Sequence, residues 1–508
     1  MAEGQKFQWT APMGPFRFCD IFPEFCHPSY SRRILGAVEC RSDRFFGKDS
    51  NGALNVFFAI PGPQHDGHDY VADALSRGAD VAVVESSSAG RFPSGTALIA
   101  VENTRRLWSL TQSRLHRSPD QSLELFAATG TDGKTTCAFA VQHLLGESCG
   151  RTTTVDRQLK SGFQPEPTSA TTANAEDFYA FLAKAAASGT AAVAMEMSSH
   201  ALAQERLWGV SIGGALFTNL SREHCDFHGS VESYFDAKAR LFDGRGGHYP
   251  KICAICGDGH WGRRMISVAK KTTAEVISYG CSANCRWRLV DWRANGAGCL
   301  AKICCDSCAA VQLELNVIGR FNAINLLGAA ALVAGRVQFD TLLGRMATFK
   351  TPPGRMEAVQ IGANAVAFVD YAHTEAALRA ALGALREHFP GKFIAVVFGC
   401  GGDRDVGKRR PMAAAVEELA DFAIVTADNP RSEQVEKICG DICGGFKKSN
   451  HGVIVDRRAA IGEGVSMAVA RNGVVLVAGK GHEKEQIIGD EVIPFDDAAI
   501  ISEVANGL

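Results

Sequence analysis

The chain has 508 residues, too many for a single hydrophobic core, so about three domains are expected. With 46% hydrophobic and 21% charged residues and a formal net charge of -2, it has an ordinary globular composition, with no general attraction to nucleic acid or to an anionic membrane. No apolar run approaches the ~18 residues of a membrane span, and the opening "MAEGQKFQWTAPMG" has neither an apolar signal core nor a transit character, so a cytoplasmic protein is expected.

In chain order, "ILGAVEC" reads as a first strand, followed by "FFAIPGPQHDGHDYVADALSRGADVAVVE". The polar cluster "HRSPDQS" (116–122) closes this stretch. Beyond it, strand-like runs alternate with helical periods: "LELFAA" then "TTCAFAVQHLLGE", "AAVAMEM" and "GALFTNL". The prolines and glycine of "TPPGRM" (351–356) break the pattern, which resumes in "FIAVVFG" then "RPMAAAVEELA", "FAIV" and "VVLVAG". Such alternation predicts an α/β protein with mostly parallel sheets. The expected stretches are 1–118, 119–351 and 352–508. Ligands of parallel sheets bind outside the C-terminal ends of the strands, so the loops after these runs are the places to search.

Seventeen cysteines, an odd number, cannot all pair within one chain. Several lie in apolar runs, where a reduced thiol packs as a small hydrophobe. Between Cys253 and Cys308 they are dense enough to raise a zinc site as an alternative to packing.

The clearest chemical signal is "ATGTDGKTT", Ala128–Thr136, between a strand and a helix. Gly130 and Gly133, with Thr131 and Asp132 between them, let backbone amides face an anion. Lys134 can reach the β/γ-phosphates, and Thr135, followed by Thr136, offers a hydroxyl to Mg²⁺. The full phosphate-loop pattern has glycine where Ala128 stands. No Asn-Lys-x-Asp motif argues for a GTPase, whereas Glu196, ending an apolar strand, is a carboxylate able to hold Mg²⁺. "TADNPR" ends another such strand, and Arg431 there presents a fork suited to a carboxylate or phosphate.

After the phosphate loop come, in order, "MEMSSHALAQER", "FTNLSREHCDFHG", "YFDAKARLF", "GRFNAINLLGA", "PPGRMEAV", "VDYAHT", "FGCGGDRDVGKRRPM", "TADNPRSE" and "AGKGHEKEQ". Together they resemble the Mur ligases of peptidoglycan synthesis, over about residues 55 to 500. The resemblance implies a three-domain architecture: a uridine-binding N-terminal domain, a central phosphate-loop ATPase domain with a parallel sheet, and a Rossmann-like C-terminal domain that closes on ATP. It also implies a reaction. A substrate carboxylate attacks the γ-phosphate of ATP, and an amine then displaces phosphate from the acyl phosphate.

Residue by residue, the resemblance implies Lys134, Glu196, His224 and Lys238 as catalytic. Two Mg²⁺ ions are implied, with Thr135 and Glu196 on one and His224 and Lys238 on the other, Lys238 being carbamylated. Asn322 and Asn325 would read adenine, with Arg355, Asp370 and His373 also on ATP. Ser42 (or Ser50), Pro63, Gln64, His65, Thr171, Thr172, Ser198, Gln204 and Arg206 match contacts to UDP-N-acetylmuramoyl-L-alanyl-D-glutamate. The tetrapeptide Asp428, Asn429, Pro430 and Arg431, with Arg404, Gly479 and Glu483, matches the branch that adds meso-diaminopimelate. There Arg431 would take the distal carboxylate and Glu483 the distal ammonium. The run Lys408–Arg410 reads as a solvated basic turn. The family usually has Asn at the position of Asp132, and a carboxylate facing a triphosphate would weaken ATP binding. A monomer is expected. The alternatives are a folylpolyglutamate-synthetase-like ligase and a nucleotide-binding relative that has lost activity.

Overall fold

The computed structural model describes residues 15–25, 29–49, 51–62, 65–272, 275–305 and 308–507. The chain divides into two compact units, one comprising Met1–Asp132, Gly146–Cys253 and His260–Val276, the other Gly133–Leu145, Ala254–Gly259 and Ile277–Leu508.

The first unit contains a four-stranded parallel sheet, Leu35–Glu39, Leu54–Phe58, Val81–Glu85 and Leu98–Val101, in sequential order. Its second strand is buried at every position, as expected where both faces are covered. Phe45, Phe57, Val71, Ala74 and Val84 form part of its core.

The same unit holds a second parallel set in which Glu124–Thr129 lies between Gly214–Phe217 and Ala192–Glu196, and Cys149–Thr152 flanks the latter. All four strands point the same way, so the loops after Thr129, Thr152, Glu196 and Phe217 share one edge.

In the second unit, Val366–Asp370, Val474–Ala478, Ile394–Phe398, Phe422–Val425 and His451–Val453 form a parallel sheet in that order. Glu357–Gln360 adds an antiparallel edge. Ile394, Val396 and Phe398 enter one core while Ala395 and Val397 enter another on the opposite face. Every residue of that strand is therefore buried, the pattern of a doubly wound sheet. An antiparallel ribbon, Trp287–Asn295, Gly298–Cys305 and Cys308–Leu315, carries part of the cysteine-rich segment, and its first strand pairs in parallel with the strand Glu275–Gly280. The four-stranded sheet of the first unit is thus wholly parallel, whereas the sheet of the second unit that ends on Glu357–Gln360 is mixed.

Cys253, Cys256 and Cys299 are buried, and burial pushes the Cys253 and Cys256 thiols up to about 12. Among the described residues no group of three or more His, Cys, Asp or Glu is arranged to hold a metal ion. Nor is any described helix long and apolar enough to cross a membrane.

Candidate active site

The phosphate loop leaves the strand Glu124–Thr129 and enters the helix Lys134–Leu145. Gly130 has φ 151, and a Cβ there would lie 1.8 Å from the Thr218 hydroxyl, so no side chain fits. Gly133 has φ 86, and a Cβ would meet the Asn325 amide at 2.7 Å. Thr218 donates its hydroxyl to the Asp132 carbonyl at 2.6 Å, and the Asp132 amide donates to Asn219 Oδ1 at 3.0 Å. The backbone of the loop is thus pinned while the Asp132 side chain is exposed. Thr131 accepts the Ser221 amide on its hydroxyl at 3.0 Å and lies 3.3 Å from the Tyr234 hydroxyl. Thr135 and Thr136 are buried in the first helical turn.

Along the same edge of the first unit, Glu196 is 1% exposed. Its carboxylate accepts the Thr154 amide at 2.7 Å and the Thr154 hydroxyl at 3.2 Å. Thr172 donates to the Glu196 carbonyl at 3.0 Å and accepts the Ser198 amide at 2.9 Å, which fixes the direction of the chain after the strand. The Thr171 hydroxyl lies 3.1 Å from that of Thr154, and Ser198 caps the helix Ser199–Ala203. Arg206 donates to the Thr172 carbonyl at 3.2 Å and to Gln204 Oε1 at 2.8 Å. Thr154 carries no motif of its own in the sequence and becomes visible only through this contact.

Lys238, in the helix Val231–Ala239, is 1% exposed. Its ammonium donates to the Gly130 carbonyl at 2.7 Å and stands 4.4 Å from the centre of the Tyr234 ring. His224 has φ 53, the left-handed region, and opens the short helix Cys225–His228. Its ring packs 4.7 Å from that of His200, which in turn lies 5.5 Å from His228. Burial, then the facing imidazoles, push His200 down to about 4. Neither His200 nor His228 is distinguishable by spacing alone, and only the tertiary structure gathers the three rings.

In the second unit, Arg355 donates to the Thr135 hydroxyl at 3.2 Å and lies over the Tyr371 ring at 4.5 Å. Asp370 accepts the Met356 and Ala372 amides at 2.8 and 2.9 Å, and His373 Nδ1 lies 2.8 Å from the Tyr371 carbonyl. Asn322 is buried and turned back, donating to the Ile318 carbonyl at 2.9 Å.

The C-terminal ends of the parallel strands in this unit bring the "DNPR" segment to Gly479 and Glu483. Asn429 donates to Glu483 Oε2 at 2.8 Å. Buried Lys480 donates to Asn429 Oδ1 at 3.2 Å and lies 3.5 Å from the same Glu483 oxygen. A Cβ on Gly479, at φ 113, would sit 2.4 Å from Asp428 Oδ2. Arg431 has φ 52; its Nη1 donates to the Gly402 carbonyl at 2.8 Å. The side chains of Arg431 and Arg404 both border Gly401.

The basic turn corrects one expectation. Arg409 is not solvated: it is 1% exposed and donates to Glu433 and Asp441, each at 2.8 Å. Arg410 is exposed and Lys408 partly so, because only the middle residue points into the core from the start of the helix Arg409–Leu419.

In the first unit, Ser42 opens a 3-10 turn after the first strand, and His65 is exposed after the second. Pro63, Gln64 and Ser50 lie outside the described residues.

A glycine loop running from a parallel strand into a helix, in a chain with two further sheets built on parallel strands, defines an α/β nucleotide-binding protein. Residues 128–333 match the Mur ligase middle domain, and residues 354–481 match the Mur ligase glutamate ligase domain. The chain is 37% identical over 469 residues to the UDP-N-acetylmuramoyl-L-alanyl-D-glutamate--2,6-diaminopimelate ligase of Parasynechococcus marenigrum (strain WH8102), covering 88% of this chain and 91% of that protein. It is 38% identical over 460 residues to the protein of the same name from Coxiella burnetii (strain RSA 493 / Nine Mile phase I), covering 87% and 91%. A solved structure of a ligase of that name superposes with a TM-score of 0.69 at 28% identity, over 97% of this chain and 99% of that one. The chain belongs to the Mur ligase family and is an ATP-dependent amide ligase.

Proposed function

We propose that this ligase joins meso-diaminopimelate to UDP-N-acetylmuramoyl-L-alanyl-D-glutamate, with ATP cleaved to ADP and phosphate, in peptidoglycan precursor synthesis. The observation that carries the choice of amino acid is the cluster of Arg431, Arg404, Asp428, Asn429 and Glu483 in the second unit, which offers cations and a carboxylate side by side. Diaminopimelate has at its distal end both a carboxylate and an ammonium, and lysine lacks the carboxylate. The relatives named above carry diaminopimelate in their names, which supports the same reading.

In this reading the protein mainly positions reactants and neutralises charge. The amides of the loop 130–136 and Lys134 hold the phosphates, and Arg355, Asp370 and His373 serve ATP, with Asn322 and Asn325 toward adenine. Glu196 and Thr135 each offer a hard oxygen of the kind Mg²⁺ prefers, and His224 a nitrogen; bound Mg²⁺ would polarise the phosphoryl and carboxylate oxygens. An ammonium cannot ligate a cation, so Lys238 serves a metal only as its carbamate. Ser42, Pro63, Gln64, His65, Thr171, Thr172, Ser198, Gln204 and Arg206 hold the UDP-substrate. The stretches 1–118, 119–351 and 352–508 divide these tasks, in a monomeric cytoplasmic enzyme. The test supplies purified protein with ATP, Mg²⁺ and the UDP-muramoyl dipeptide, adds diaminopimelate, lysine or glutamate in turn, and measures phosphate release. Release that does not depend on the UDP-substrate, or that is equal with lysine, overturns this assignment.

A further inference from the structure

The helix Ser199–Ala203 ends in a turn whose chemistry contradicts its sequence. The Glu205 amide donates to the Leu202 carbonyl at 3.3 Å and the Arg206 amide to the Ala201 carbonyl at 3.0 Å, the two bonds of a Schellman motif. That motif wants a left-handed residue, usually glycine, at the position Glu205 occupies with φ 53. What holds a glutamate there is its carboxylate. It accepts Arg106 Nε at 2.9 Å and Nη2 at 2.8 Å, Arg240 Nη1 at 3.1 Å and Asn103 Nδ2 at 3.0 Å. The side chain is only 11% exposed, so these charge-assisted bonds are partly shielded from water.

The three donors come from distant segments. Asn103 caps the helix Thr104–Leu115, which also carries Arg106, and Arg240 closes the helix that carries Lys238. The neighbours of Glu205 on either side are Gln204 and Arg206. We propose that Glu205 is a positioning residue for the UDP-substrate. Its pinned carboxylate fixes the direction in which Gln204 and Arg206 are presented and registers them against the helix bearing Lys238. This rests on the reading of Gln204 and Arg206 as contacts to that substrate. Glycine at 205 would satisfy the turn; glutamate adds a tether that glycine lacks.

The experiment compares Glu205→Gly, Glu205→Ala, Arg106→Ala and Arg206→Ala. It measures direct binding of the UDP-muramoyl dipeptide by calorimetry, KM for each substrate, and the melting temperature. Glu205→Gly keeps the left-handed turn without strain, so its melting temperature should stay near or above that of Glu205→Ala. Its affinity for the UDP-muramoyl dipeptide should nonetheless fall about tenfold, with KM for ATP within about twofold of the native value. Arg106→Ala should show the same selective loss, and it keeps the test open if the position-205 variants do not fold. Native affinity in both Glu205→Gly and Arg106→Ala overturns the proposal, as does an equal rise in every KM. If Arg206→Ala also binds the dipeptide normally, the underlying substrate reading fails instead.

Discussion

Asn429 and Glu483 are joined by a hydrogen bond of 2.8 Å from the amide to the carboxylate, and Lys480 touches both. Lys480 is fully buried and also donates to the Glu485 carbonyl. Its three N–H groups therefore have three acceptors, and the Asn429 amide has one orientation: Oδ1 toward Lys480 and the Ile487 amide, Nδ2 toward Glu483. Lys480→Met should free the Asn429 amide and leave Glu483 without its neighbouring cation. The expected result is a KM for diaminopimelate raised at least about tenfold, with a stability loss of about 2–4 kcal/mol for a broken buried polar network. Steady-state kinetics and urea melts check it.

Arg431 is expected to select diaminopimelate through its distal carboxylate. The Gly402 carbonyl holds one arm of the guanidinium and aims the fork. Arg431→Ala should cost about 2–4 kcal/mol in kcat/KM for diaminopimelate and erase most of the preference over lysine. Arg431→Lys should recover only part, since an ammonium cannot make a two-pronged contact. Competition between the two amino acids, read by product mass, decides.

Lys134→Ala should abolish turnover while the fold survives. Lys134 is partly exposed at the start of its helix, so no core is disturbed. Loss of a cation that meets charge in the transition state should slow the reaction about a hundredfold or more. Phosphate release with an unchanged circular dichroism spectrum is the expected pair of results.

Arg457 and Asp497 form an ion pair in which both side chains are fully buried. Arg457 also donates to the carbonyls of Ala427 and Ala478, each at 3.1 Å, one residue before Asp428 and Gly479. Asp497→Ala leaves a guanidinium buried without its anion and should destabilise the protein by about 3–5 kcal/mol. Because the pair ties down both loops, KM for diaminopimelate should rise too. Chemical denaturation and kinetics at a temperature where the variant is folded separate the two effects.

His388 gives a pH dependence with a defined sign. Its Nε2 accepts the Gly319 amide at 2.9 Å, so that nitrogen must be unprotonated, while Nδ1 faces the Gly296 carbonyl at 2.9 Å. Burial holds its pKa below the usual histidine value. Below about pH 6.5 the unfolded chain takes up a proton that the folded imidazole resists, so stability is full above that pH and falls as the solution is acidified. His388→Gln, which does not titrate, should lose less stability than the native chain between pH 8 and pH 5. Urea midpoints at the two values measure the difference.

The sequence by itself determined the buried strands and the phosphate-binding turn. A strand buried on both faces must be a continuous apolar run, and "FIAVVFG" and "VVLVAG" are such runs. A phosphate-binding turn needs Gly-Lys-Thr in one short segment, so "GTDGKTT" carries its own signal. "DNPR" and "GKGHE" were legible as motifs for the same reason: each is local.

Only the tertiary structure decided which distant groups complete them. Thr154 on Glu196, Lys480 on Asn429, and the three donors on Glu205 are pairings across long chain separations, which leave no periodicity to read. The same holds for Arg409, whose burial depends on acidic partners at Glu433 and Asp441 that the local basic run does not announce. Local propensity and hydrophobic period act over a few residues. A buried charge is settled by whatever the fold places opposite it, because an unpaired one is too costly to keep.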